Sequence, residues 1–259
     1  MKVRDITNLI EEFAPLSIQE KWDNSGLCVG DENAETHSVL VGFDCTPALV
    51  QEAIDCGADM IVTHHPLIFG GLKKISVNDP VGLAVTMAVS NGIAVYAAHT
   101  TADKVLEGVS GAMARRIGLE NVRILDPDSE NTGLGAVGDF PVPMTVDEVA
   151  RTLKGKFCLK VLKTSKPIAL PIRTVAMCGG SGSSLIQAAM DSGAQLYISG
   201  DISYHHFFTP EGFMIMDIGH LESEVEVVTI LYSLIRKKFP TFVVRISENI
   251  DKNNPIYYL

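Results

Sequence analysis

The sequence has little of what would mark a membrane, secreted or nucleic-acid-binding chain. No apolar run reaches the ~18 residues that a bilayer span needs. The opening stretch MKVRDITNLIEEFAPL starts basic but turns acidic and amphipathic, with no apolar core and no small-residue cleavage site. It does not read as a signal peptide, and the chain reads as cytoplasmic. Five cysteines, Cys28, Cys45, Cys56, Cys158 and Cys178, are odd in number and form no CxxC, which argues against a disulfide framework. They read as small buried hydrophobes in a reducing compartment. Positive charge is also short: the formal net charge of −10 argues against a nucleic-acid surface, which normally carries a basic footprint. GxSxG, a Walker-type loop and a dinucleotide fingerprint are all missing, and Gly179-Gly180-Ser181-Gly182 lacks the Lys-Ser/Thr that follows a phosphate-binding loop.

What is present is an ordinary globular composition, 46% hydrophobic and 20% charged over 259 residues, enough for one large domain or two medium ones. Apolar spacing over 5–14 predicts a short helix. The β-branched run 38–43 predicts a strand, after which Thr46 and Pro47 open a helix that stops at Gly57. MIVT at 60–63 and IAVYAA at 93–98 predict buried strands around a helix over 80–91. This alternation predicts an α/β fold with mostly parallel pairing. DPDSENTG at 126–133 is polar and turn-rich, so the expected division is 1–125 and 126–259. Beyond it, MTVDEVARTLKGKF predicts a helix with a Thr145–Glu148 capping box. TVAMC, QLYIS and FMIMDIG then predict strands.

The second half echoes the first. LVQEAIDCGADMIVTHH (49–65) aligns without gaps on LIQAAMDSGAQLYISGD (185–201). Each is followed by a strand ending in histidine, three residues and a carboxylate: His99…Asp103 and His220…Glu224. This reads as an internal duplication of a strand–helix–strand unit. Two similar halves facing each other would bring their strand C-termini together, where open α/β sheets place their sites.

Six of the seven histidines, at 64–65, 99, 205–206 and 220, follow predicted strands, while His37 sits in a polar turn. Neighbouring histidines on an extended chain point to opposite sides, so His64 and His65 would feed two metals about 3.5–4 Å apart. With Asp103, His220 and Glu224 at matching strand ends they form a mixed imidazole–carboxylate set. Such a set suits two divalent ions such as Zn, Fe, Mn, Ni or Co. No catalytic side chain stands out, and a metal-bound water would be the nucleophile. His99, His205 and Asp201 are candidates for orienting ligands through hydrogen bonds, or for plain structural hydrogen bonds. The Gly179–Gly182 turn would offer backbone N–H groups to a phosphate, or would simply be a tight turn. Lys73 and Lys74 are candidates to hold a triphosphate, or read as a solvated surface pair. Gly70-Gly71 reads as a plain turn or a flexible loop. Trp22, the only tryptophan, reads as a packing corner or a lid.

EKWDNSGLCVGD, THHPLIFGGLKKI, AAHTTAD, MCGGSGSSLIQAAMDSGAQLYISGDISYHH and IGHLESE together resemble, in order, the signature segments of the NIF-three-like dinuclear-metal family. The resemblance covers roughly residues 1–250. It implies two similar, interlocked α/β units with a dimetal site in the cleft between them, held by His64, His65, Asp103, His220 and Glu224. It also implies a toroidal homohexamer and an activity of the GTP cyclohydrolase 1 type 2 kind, giving dihydroneopterin triphosphate and formate from GTP. The chain departs from the family pattern at Thr101, Ser110 and Ala136, where the family often has Asn, Asn and Arg. The expected function is therefore a metal-dependent hydrolase of a small molecule such as GTP. The alternatives are a dimetal hydrolase of a phosphoester or cyclic amide, and a non-catalytic metal-binding regulatory ring.

Overall fold

The computed structural model describes residues 1–258. Its chain falls into two compact units, Met1–Ala102 with Val227–Tyr257, and Asp103–Glu226 with Tyr258. The strands are β1 (Gly26–Val29), β2 (Ser38–Val41), β3 (Met60–Thr63), β4 (Ala94–Ala97), β5 (Glu120–Pro127), β6 (Gly133–Met144), β7 (Lys163–Thr164), β8 (Ile172–Ser181), β9 (Leu196–Gly200), β10 (Met214–Asp217) and β11 (Val243–Ile246). The helices are α1 (Val3–Phe13), α2 (Pro47–Cys56), α3 (Pro80–Ser90), α4 (Thr100–Asp103), α5 (Val109–Arg116), α6 (Val146–Lys156), α7 (Ile186–Asp191), α8 (His220–Glu224) and α9 (Glu226–Lys238).

The first unit holds a five-stranded sheet in the order β1-β4-β3-β2-β11. The run β11, β2, β3, β4 is parallel and β1 is antiparallel to β4. Local signals set its helices. Thr46 Oγ1 accepts from the Leu49 N–H, Pro47 occupies the first turn, and Gly57 closes α2 at φ 67°. Alternate strand residues Leu40, Ile61 and Val95 pack with Leu49, Val50 and Ala53 of α2 and Ala84, Val85 and Ala88 of α3. Each fully buried aliphatic of this layer, such as Leu49, contributes about 1.5–3 kcal/mol. The chain returns through α9 so that β11 pairs with β2 in full parallel register, Val243 opposite Ser38.

The second unit holds a six-stranded sheet, β5-β6-β8-β9-β10-β7. Here the expectation of mostly parallel pairing gives way to a mixed sheet: β8, β9 and β10 are parallel, whereas β5–β6, β6–β8 and β7–β10 are antiparallel. DPDSENTG is no linker. It closes the β5–β6 hairpin, with Pro127 opposite Gly133 and the Asp128 and Ser129 N–H groups donating to the Thr132 carbonyl. The division of the chain falls at Ala102/Asp103, with a return at Val227, so 125/126 lies inside β5. Helix α6 carries both arms of its capping box: the Thr145 N–H donates to Glu148 Oε2, and the Glu148 N–H to Thr145 Oγ1.

The units share one topology. β1-β4-β3-β2 and β7-β10-β9-β8 have the same order, with an antiparallel strand beside the last of three parallel ones. A short helix follows that last strand in each, α4 after β4 and α8 after β10.

Candidate metal centre

In the first unit the parallel sheet brings His64, His65 and His99 to one edge. His64 and His65 follow the C-terminal end of β3, and His99 follows that of β4. Because β1 runs antiparallel with Gly26 opposite Ala97, the segment just before β1 arrives at the same edge. That segment carries Asp23 and Ser25. One ring nitrogen from each of His64, His65 and His99 lies within 4.8 Å of the others.

Each ring is held through its Nδ1. His64, fully buried, donates to the Ala98 carbonyl at 3.1 Å and stacks on Phe43. His65 donates to Asp44 Oδ1 at 2.7 Å, and His99 to Asp23 Oδ1 at 2.7 Å. A carbonyl or carboxylate only accepts, so each Nδ1 carries a hydrogen. Asp23 is itself locked, accepting from the Ser25 hydroxyl at 2.7 Å and from the Thr100 N–H and hydroxyl. Burial alone would raise the Asp23 carboxyl. The hydrogen bonds from His99, Thr100 and Ser25 outweigh it and hold the group well below the usual carboxylate range.

In the second unit, Asp201 follows β9 and His220 opens α8 beyond β10. His220 donates from Nδ1 to Asp201 Oδ2 at 2.8 Å, and its Nε2 lies 3.0 Å from Glu224 Oε2, one helical turn on. Asp201 sits at φ 52°, a left-handed backbone that a non-glycine residue adopts at a cost. An oxygen of Asp103 lies within 4.8 Å of one of Glu224. Burial pushes the Cys178 thiol up, and the negative charges of Asp103 and Glu224 push it further.

The Gly179–Gly182 turn does not offer its N–H groups to a phosphate, because the fold uses them. Gly179, Gly180 and Gly182 donate to the hydroxyls of Ser110, Ser223 and Ser199. The turn instead makes room for Glu224: a Cβ on Gly180 would stand 2.2 Å from Glu224 Oε1. Ser110 thus has a structural partner at the turn. Ala136 is fully buried opposite Met177.

His205 lies on an exposed turn against Tyr204, outside the histidine and carboxylate groups found among the described residues. His37 is exposed, as are Lys73 and Lys74. Trp22 is not a packing corner; it is 57% exposed. Asp23 and Asp44 are the residues that sequence reasoning missed. Their signal was position, since Asp44 follows a buried strand and Asp23 precedes one.

The donor set fits divalent ions. His64, His65 and His220 are each anchored at Nδ1 on an oxygen acceptor, the arrangement that orients metal-ligating histidines. His220 Nε2 and Glu224 Oε2, 3.0 Å apart, are close enough for both to reach one ion.

Strand-end imidazoles and carboxylates on two α/β sheets define a candidate metal-binding α/β protein. The family described as Duf34/NIF3 (NGG1p interacting factor 3) matches residues 1–255, and the chain belongs to it. A Clostridium acetobutylicum protein named GTP cyclohydrolase 1 type 2 homolog is 33% identical over 236 residues, covering 89% of this chain and 88% of its own. A Clostridium perfringens protein of the same name is 33% identical over 94% of each chain. The crystal structure of Staphylococcus aureus hypothetical protein SA1388 superposes with a TM-score of 0.90 at 27% identity, covering 100% of this chain and 99% of that one. No helix among the described residues is long and apolar enough to cross a membrane.

Proposed function

We propose that the chain is a dinuclear-metal-dependent hydrolase whose two divalent ions are held by His64, His65, Asp103, His220 and Glu224, and that its substrate is GTP. One observation carries the metal part: each histidine of the set is pinned at Nδ1 by an oxygen acceptor, the anchoring that orients a metal-ligating imidazole. The substrate part is supported by the name shared by the two clostridial relatives. Asp103 is supplied by α4, the turn that starts directly after His99.

Bound ions of this kind supply Lewis acidity and lower the pKa of water to near neutrality. The chain's own groups do the rest. His99 is the proton acceptor for the attacking water. Its Nδ1 hydrogen rests on Asp23, which stabilises the imidazolium that forms. Attack of one water at the imidazole carbon of guanine opens the ring to a formamide, and a second water hydrolyses that formamide to release formate. The ring-shaped homohexamer of the family resemblance belongs to the same reading, and native mass analysis reads it directly.

The test is GTP turnover with formate detection on protein reconstituted separately with Zn, Fe, Mn, Ni and Co. Formate release with at least one metal is expected, abolished by Glu224→Ala. Full metal loading without formate release from GTP would refute the substrate assignment. His99→Gln is expected to keep its metal and to lose about 10²–10⁴ in rate.

A further inference from the structure

Trp22 and Phe69 are 57% and 55% exposed, yet neither lies on a loose segment. Asp23, next to Trp22, is fixed by His99, Thr100 and Ser25. Asn24 Nδ2 donates to the Ile68 carbonyl at 2.6 Å, tying the turn that carries Trp22 to the loop that carries Phe69. The two rings stand 5.8 Å apart, tilted by 41°. Both meet His99 edge-on, at 5.9 and 6.0 Å between ring centroids. The result is a preorganised aromatic surface, open to solvent, beside an imidazole edge.

Exposed aromatic area is costly in water and is recovered when a flat apolar partner covers it. A spacing of 5.8 Å is less than the about 7 Å that a ring inserted between two others requires at van der Waals contact. A partner ring therefore stacks on the open faces rather than sliding between them. The exposed indole face, itself bicyclic and flanked by the phenyl ring tilted at 41°, matches a flat bicyclic ring better than a phosphate or an aliphatic ring, neither of which presents a π-face.

We propose that Trp22 and Phe69 are the platform on which a purine-sized heteroaromatic ring of the substrate stacks, with its edge toward His99. This rests on the hydrolase reading and narrows it, because a simple alkyl phosphoester or an aliphatic cyclic amide has no aromatic ring to place there.

The chain's single tryptophan makes the test direct, since its fluorescence reports this position alone. Zinc-loaded full-length protein is titrated with GTP, guanosine and inorganic triphosphate, and the metal content of every sample is measured. Saturable quenching by GTP and guanosine, and none by triphosphate, is expected. Phe69→Ala and Phe69→Leu should weaken GTP binding by about 5- to 100-fold at unchanged metal content, and Phe69→Tyr should restore it. No quenching by GTP or guanosine, equal quenching by triphosphate, or unchanged affinity in Phe69→Ala overturns the platform. Failure of the wild-type protein to take up zinc refutes the metal reading instead. Guanosine titration of that metal-free protein still decides the platform.

Discussion

Gly180→Ala tests the fit of the second unit's donors at a single atom. Gly180 sits at φ 60°, where an L side chain costs about 1–2 kcal/mol. Its new Cβ would stand 2.2 Å from Glu224 Oε1 and 2.9 Å from Cδ, so the carboxylate must move. Such overpacking costs about 1–3 kcal/mol more. The total is about 2–5 kcal/mol, with Glu224 displaced from His220. Gly193→Ala separates the two contributions. It also has positive φ, 80°, but a Cβ there meets nothing within 4 Å. It should therefore cost only the about 1–2 kcal/mol of backbone strain and leave metal binding intact. Thermal unfolding with and without added metal, together with elemental analysis, reads both variants. Gly180→Ala should lose the metal-dependent rise in Tm and Gly193→Ala should keep it. Equal unfolding temperatures and equal metal content in the two variants would refute the placement of Glu224 against the turn.

Thr101 is fully buried, and among the described residues its hydroxyl has no hydrogen-bond partner, so Thr101→Val should leave stability unchanged or raise it by about 1 kcal/mol in chemical denaturation. Burial raises the Glu52 carboxyl, but hydrogen bonds from Ser247, Glu248 and Asn249 outweigh it and lower the group below its ordinary value. Its contribution is present above the unfolded pKa of about 4.3 and is lost as pH falls through the folded value. Glu52→Gln should lower Tm at pH 7, and the gap to wild type should close in acid; a gap independent of pH would contradict this. Thr145→Ala removes the side-chain arm of the α6 cap, the Oγ1 that accepts from the Glu148 N–H, and should cost about 1 kcal/mol, without effect on metal content.

The parallel strands and their caps were legible because their signals are local. Thr46, Pro47 and Gly57 bracket α2 as read, and β3 spans the residues expected. The histidines could be located because strand ends are where such folds collect polar side chains. What escaped was non-local. The pairing of β11 with β2 joins residues about two hundred positions apart, and nothing in VVRI names its partner. DPDSENTG failed as a boundary because hairpin turns and linkers use the same residues. Asp23 and Asp44 look in sequence like solvated turn acids, and only the register of β1 against β4 shows that Asp23 arrives beneath His99. The glycine turn was legible as a turn, but the serines that consume its N–H groups come from elsewhere in the chain.

The most direct measurement is the metal content of purified protein after reconstitution, for the wild type and for His64→Ala and Glu224→Ala, one proposed ligand from each unit. About two divalent ions per chain are expected in the wild type, with ions lost from both variants while circular dichroism shows them folded. A wild type that takes up no metal, or variants that both retain the full complement, would contradict the dinuclear centre.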